Sequence, residues 1–207
     1  MKEMQVSVPH LPELEFEEGP HVYRLDGEVI PSVSQIMEPL SKAKYSGIPE
    51  RVLRKAAGRG DAVHTAIENW LKFGFPDIPS EHREYMDAFL DWWNEMQPEV
   101  VGSEIRVYHK LQRYAGTIDL LCYIGNRLVL VDYKTTAQIS EMTCGVQLEA
   151  YGQALKSHGV QPEEKRILHL RRGGTWKEHL FPANDTKCWR TFGACKTLYE
   201  YIGSYHH

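Results

Sequence analysis

A chain of 207 residues with 42% hydrophobic and 25% charged side chains has the length of one domain and the composition of a globular protein. No apolar run approaches the roughly 20 residues of a membrane span. Residues 1–18 lack a hydrophobic signal core and carry Glu3, Glu13, Glu15, Glu17 and Glu18, the wrong charge for a mitochondrial transit peptide, so a cytoplasmic protein is expected.

Residues 1–20 are polar and proline-containing and read as an N-terminal arm ahead of a single domain over residues 21–207. His21 to Ile30 reads as a hairpin, because Asp26-Gly27 between two short apolar runs is a strong turn signal. Pro31 ends its second strand, and Ser32 with Gln35 forms a capping box for a short helix through Leu40. Pro49 to Phe73 is predicted helical, with a break at Gly58 and Gly60 and a buried stripe of Val63, Ile67, Trp70 and Leu71. After a loop marked by Pro76 and Pro79, Ser80 is expected to cap a helix from Glu81 to Met96. Tyr85, Met86, Phe89, Leu90 and Trp93 form its core face.

Three strands are predicted next, over 100–111, 114–124 and 127–134, then a helix over 139–157. A hairpin around Gly173-Gly174 and a helix over 185–201 complete the chain. Helices flanking a central group of strands imply an α/β sandwich. The four cysteines, Cys122, Cys144, Cys188 and Cys195, form no CxxC pair and read as reduced packing residues.

The net charge of −4 is not that of a typical nucleic-acid binder, yet the charge is unevenly spread. Lys42, Lys44, Arg51, Arg54, Lys55 and Arg59 stand against the single acid Glu50. A second basic group is Lys165, Arg166, Arg171, Arg172 and Lys177. Either is an ordinary solvated face unless a catalytic site lies beside it.

The stretch from Gly116 to Lys134 carries the chemistry. Leu128 to Val131 is a continuous apolar run, as in a strand buried on both faces, and it ends in Asp132-Tyr133-Lys134. If Gly125-Asn126 is a two-residue turn, Ile124 opposes Arg127, and counting back sets Asp119 opposite Asp132. Opposed side chains have Cβ atoms about 4.5–5.5 Å apart. Two carboxylates so placed repel unless a cation lies between them or one is protonated, and Lys134 points to the same face by strand alternation. A salt bridge from Lys134 to either aspartate is the structural alternative. A hard divalent ion suits the pair better, since Mg²⁺ uses one or two carboxylates and keeps positions for water and phosphate. Such an ion acidifies bound water and polarises phosphate.

These residues resemble the PD-(D/E)XK nuclease superfamily, and within it the RecB-like exonuclease branch that includes phage exonucleases and the mitochondrial genome maintenance exonuclease. The carriers are Gly60-x-x-x-His64, Ser103-Glu104, Gly116-Thr117-Ile118-Asp119, Asp132-Tyr133-Lys134-Thr135-Thr136 and Gln147-Leu148-Glu149-Ala150-Tyr151. The resemblance covers about residues 54–156. It implies a restriction-endonuclease-like α/β sandwich with a central mixed sheet.

It also implies that Asp119 and Asp132 ligate Mg²⁺ or Mn²⁺ with His64 and the Tyr133 carbonyl. Lys134 matches the catalytic lysine, Glu104 an upstream catalytic acid, and Gln147 and Tyr151 a motif that meets the substrate backbone. Glu68, four residues from His64, could orient the imidazole. Some relatives hold an iron–sulfur cluster on four cysteines; no cysteine precedes Cys122 here, so none is expected.

The expected function is a metal-dependent deoxyribonuclease, an exonuclease on the ends of linear DNA, in phage or bacterial DNA processing, recombination or repair. Arg54, Lys55 and Arg59 would track the phosphates. The alternatives are a non-cleaving DNA- or partner-binding module and a restriction-type endonuclease, for which no base-reading element is apparent.

Overall fold

The computed structural model describes residues 6–204; the first five residues of the expected arm lie outside the described residues. Three short strands, β1 (Leu14–Glu17), β2 (Val22–Leu25) and β3 (Glu28–Ile30), form an antiparallel sheet. Asp26 and Gly27 have φ of 53° and 81°, the left-handed pair that a two-residue hairpin turn requires. β1 lies inside the stretch read as an arm. It is held because Leu14 and Phe16 pack on Tyr23, Leu25 and Ile30, a signal masked by the surrounding glutamates.

The capping box at Ser32 forms: its Oγ accepts the Gln35 N–H at 3.1 Å, and Gln35 Oε1 accepts the Ser32 N–H at 2.8 Å. It starts α1 (Val33–Ile36), followed by α2 (Glu38–Tyr45).

The next helix, α3 (Glu50–Phe73), runs unbroken through Gly58 and Gly60, against the predicted break. Each glycine costs about 1 kcal/mol of helix propensity, a penalty outweighed once Val63, Ala66 and Ile67 are buried one turn further on. Ser80 does not cap the following helix. It opens a 3₁₀ turn over Ser80–His82, and α4 (Arg83–Met96) begins without a side-chain cap. Trp92, not Trp93, is the fully buried tryptophan of α4, its indole N–H donating to Glu178 at 2.9 Å.

The large sheet runs β4 (Glu99–Tyr108), β5 (Ala115–Ile124), β6 (Arg127–Lys134), β7 (Glu164–Arg171), β8 (Thr175–Phe181) in that order. β6 and β7 are parallel, joined over α5 (Glu141–Ser157); the other pairs are antiparallel. β4 stops three residues short of the predicted Leu111. There His109 Nδ1 accepts the N–H groups of Leu111 and Gln112 and curls the chain, leaving Leu111 87% exposed.

One sheet face packs on α1, α5 and α6 (Thr186–Gly203) through Ile36, Leu130, Leu148, Ile167 and Phe192. The other packs on α3 and α4 through Ile67, Phe89, Val129, Val131 and Leu168. The chain is thus the expected sandwich, a mixed sheet between helices. No helix among the described residues is long and apolar enough to cross a membrane.

Lys165 and Glu149 form a fully buried ion pair that ties β7 to α5, and Glu149 also accepts the Asp185 N–H at the start of α6. Removing one member strands a charge in the core, at a cost of about 3–5 kcal/mol. Lys165→Met is expected to lower unfolding free energy in urea by that amount, and Glu149→Gln added to it to restore most of the loss.

Candidate metal centre and cleft

The centre lies where β5 loses its neighbours. The register expected from the Gly125-Asn126 turn holds from Ile124 opposite Arg127 to Leu120 opposite Val131. It stops one step before Asp119 would meet Asp132. There Asp119 Oδ2 accepts the Tyr133 N–H at 2.7 Å, a side chain replacing a ladder partner. On the other side of β5, pairing passes from Ser103–Leu120 to Ile105–Ile118 without a pair between Glu104 and Asp119. Glu104 has φ of 49°, a left-handed backbone uncommon for a residue with a Cβ. Asp119 therefore stands at a gap in the sheet on both sides, and side chains from neighbouring elements enter it.

His64 enters from α3. Its Nε2 donates to the Tyr133 carbonyl at 3.0 Å, and its Nδ1 lies 3.4 Å from Asp119 Oδ1. Its ring meets the Tyr133 ring edge-on, with centroids 5.6 Å apart. Glu68, expected to orient this imidazole, instead pairs with Lys72 one turn along α3. One donor atom each from His64, Glu104 and Asp119 all lie within 4.8 Å of one another.

Asp132, expected to ligate the ion with Asp119, His64 and the Tyr133 carbonyl, is not part of that trio, and Glu104, expected as a catalytic acid, is. Asp132 Oδ2 is 2.5 Å from Lys134 Nζ, yet buried without a well-aligned hydrogen bond. The Lys134–aspartate salt bridge weighed as the structural alternative is therefore present, and it lies beside the donor cluster of His64, Glu104 and Asp119.

Electrostatics show an excess of negative charge. Burial, with the nearby Asp119 charge adding to it, pushes Glu104 up to about 7. Burial also lifts Asp132 to about 6, against the pull of Lys134. Burial opposes charge on Asp119 too, but His64, Lys134 and the Tyr133 N–H outweigh it and hold the carboxylate below its usual range. His64 is the converse: burial works against its proton, and the Asp119 carboxylate overcomes this and raises it to about 9. Lys134, buried beside two aspartates, is raised above its ordinary value.

Carboxyl groups that resist ionising in a partly buried cluster fit a site that receives a cation. Oxygen donors dominate, with one imidazole, a set suited to Mg²⁺ or Mn²⁺. His64, Asp119, Glu104 and the Tyr133 carbonyl would hold the ion, with Asp132 and Lys134 beside them.

From α5, Gln147 donates to the Tyr151 hydroxyl at 3.2 Å, and the Tyr151 ring lies directly against Gly116 of β5. Gln147 and Lys134 line one small cavity with Ser34, Ser41, Ser140 and Thr143.

A cleft of about 970 Å³ opens beside this point, bordered by α2, α3 and the loop after β6, and both His64 and Lys134 reach it. Lys44, Arg51, Lys55, Arg59 and Arg172 line it. Arg54, expected on the phosphate path, is exposed outside the cleft and pairs with Glu50. Arg51 takes its place. The signal was available: Arg51, Lys55 and Arg59 are four apart and share a helix face. Arg59, also expected to track phosphate, lines the cleft and donates to the Thr135 carbonyl at 2.9 Å. The second basic group disperses, with Lys165 paired to Glu149 and Arg166 to Glu164 and Glu178, and of the five only Arg172 reaches the cleft.

The family model of the PD-(D/E)XK nuclease superfamily matches residues 78–187, just over half of the chain. The chain belongs to this superfamily. The match contains Glu104, Asp119, Asp132, Tyr133, Lys134, Gln147 and Tyr151 and leaves out α3 with His64. The mixed sheet between helices is the restriction-endonuclease-like sandwich of the PD-(D/E)XK enzymes. No curated protein matches the chain in sequence. Among solved structures it is similar to LHK-Exo, crystallised in complex with dAMP, at 13% identity and a TM-score of 0.42, covering 84% of this chain and 87% of that one. It is also similar to SSO0001 at 12% identity and a TM-score of 0.37, covering 70% and 74%.

Asp119→Asn keeps an acceptor for the Tyr133 N–H but removes the charge facing His64 and Glu104. Calorimetric titration with MnCl₂ is expected to show affinity lowered by more than the roughly 10- to 100-fold typical of losing an outer-shell partner. The thermal midpoint should change little. Unaltered Mn²⁺ affinity would remove Asp119 from the ligand set.

Proposed function

We propose that this chain is a Mg²⁺- or Mn²⁺-dependent deoxyribonuclease of the RecB-like exonuclease branch, cutting phosphodiester bonds from the ends of linear DNA. One observation carries the reading. His64, Glu104 and Asp119 converge beside a buried Asp132–Lys134 pair, at the edge of a cleft lined by basic side chains. Structural ion pairs account for Lys134 with Asp132 and for His64 with Asp119, but not for the further carboxyl of Glu104 brought into the same gap. The Gly60-x-x-x-His64 element on α3 supports the branch within the superfamily.

The residues divide the chemistry among them. A divalent ion bound here supplies Lewis acidity to the phosphate and lowers the pKa of a water. Lys134, kept as an ammonium by Asp132 and Asp119, faces negative charge gathering on the phosphate oxygens. Asp132 fixes that ammonium in position through the 2.5 Å contact. Gln147 offers an uncharged contact to the substrate backbone, oriented by its bond to Tyr151. Arg51 and Lys55, on the cleft wall one helical turn apart, supply the salt-dependent attraction for the strand.

The test uses end-labelled linear DNA beside covalently closed circles, with Mn²⁺ or Mg²⁺. Nucleotide release from linear DNA alone is expected, lost in Asp132→Ala and Lys134→Ala and on chelation. Cutting of closed circles would point to an endonuclease. Binding without degradation would make the chain a module that holds DNA or a partner on a nuclease fold.

A further inference from the structure

Of the six basic residues between positions 42 and 59, Arg59 alone is not fully exposed. Its guanidinium engages three groups of the protein. Nη2 donates to the Thr135 carbonyl at 2.9 Å, Nε donates to Thr135 Oγ1 at 3.3 Å, and Cζ lies 5.4 Å from the centroid of the Tyr85 ring on α4. Thr135 is the first residue past the end of β6 and is itself buried.

The spacing of these contacts is informative. Arg59 precedes His64 by five residues of α3, a rise of about 7.5 Å. Thr135 follows Tyr133 by two residues of extended chain, about 6.6 Å. Arg59–Thr135 and His64–Tyr133 are therefore two rungs of nearly matched spacing between α3 and the end of β6, which run in opposite senses. Lys134 sits between the rungs, with its side chain turned to the opposite face and to Asp132. The last backbone pair of β6 is Lys134 with His169 of β7. Beyond it, the peptide that aims the Tyr133 carbonyl and Lys134 is restrained by Arg59 at Thr135 and by His169, whose Nε2 donates to the Thr136 carbonyl at 2.7 Å.

We infer that Arg59 is a positioning residue rather than a phosphate contact: it pins the chain just after Lys134 to α3, so that the Tyr133 carbonyl, His64 and Lys134 keep one mutual geometry. The inference rests on the metal-nuclease reading above. Arginine is required because its planar fork reaches carbonyl and hydroxyl together while its face covers a ring, which an ammonium cannot do. The pull of a cationic cleft on DNA would then come from Arg51, Lys55, Lys44 and Arg172.

The test uses the full chain with Arg59→Lys and Arg59→Gln, and three measurements. These are Mn²⁺ affinity by calorimetry, kcat and KM on linear DNA, and the slope of log K for DNA binding against log salt in EDTA. Both variants are expected to weaken Mn²⁺ binding about 10-fold, in the range for outer-shell partners, and to lower kcat at least as much. KM and the salt slope should be unchanged, and lysine should not rescue.

The proposal is overturned if Arg59→Gln leaves kcat and Mn²⁺ affinity intact while reducing the magnitude of the salt slope by about 0.7–0.9, the signature of one lost phosphate contact. Rescue by lysine overturns it as well. If the wild-type chain cuts no DNA, the nuclease reading fails, and the Mn²⁺ titration still decides the clamp. Should the Arg59 variants fail to fold, Thr135→Val decides. It removes one acceptor and is expected to weaken Mn²⁺ binding a few-fold; unchanged affinity there overturns the proposal.

Discussion

At the point where β5 and β6 part, the Asp119 carboxylate stands in for a backbone acceptor and takes the Tyr133 N–H, and the rest of the site follows from that substitution. A regular ladder would have left Asp119 one carboxylate among paired strands. With pairing interrupted toward β4 as well, both edges of β5 are open at this residue, and Glu104 can turn toward it through a left-handed backbone. One oxygen of Asp119 then holds the N–H of Tyr133, the residue whose carbonyl faces His64, while the other faces the imidazole itself. The carboxylate is at once a piece of secondary structure and a donor. That is why its charge is held while the acids around it are lifted.

Much of this was legible before any coordinates. The Gly125-Asn126 turn set the β5–β6 register through Leu120 and Val131, and the apolar run before Asp132 marked a strand buried on both faces. The family resemblance singled out His64 and Gln147, which periodicity alone would leave as ordinary helix positions, and the fold sets His64 beside Asp119 and Gln147 on the small cavity that Lys134 lines. What was hidden is instructive in each case. Arg54 and Arg59 were chosen by density of charge along the chain, whereas exposure and competing partners are properties of the helix in place. Glu68 sits at the right helical interval from His64, yet Lys72 one turn further takes it. β1 was hidden because two apolar side chains among glutamates form a strand only against β2.

The acidic net charge also loses its force once charges are located. Many acids neutralise bases that do not line the cleft: Glu164 and Glu178 around Arg166, Glu149 on Lys165, Glu50 on Arg54. The cleft wall keeps its cations. Basic side chains outnumber the one acid, Asp61, along that wall, although the chain as a whole is acidic.

Gly116 and Tyr151 are separated by thirty-four intervening residues, and each belongs to a short motif that means little alone. A Cβ on Gly116 would lie 2.6 Å from the Tyr151 ring, closer than atoms tolerate. The absent methyl and the present ring are thus two halves of one shape: a side chain at 116 would need the Tyr151 ring to move. Fragments scattered along the chain are thus coupled by steric fit, and the strand glycine makes the room in which the phenol ring rests.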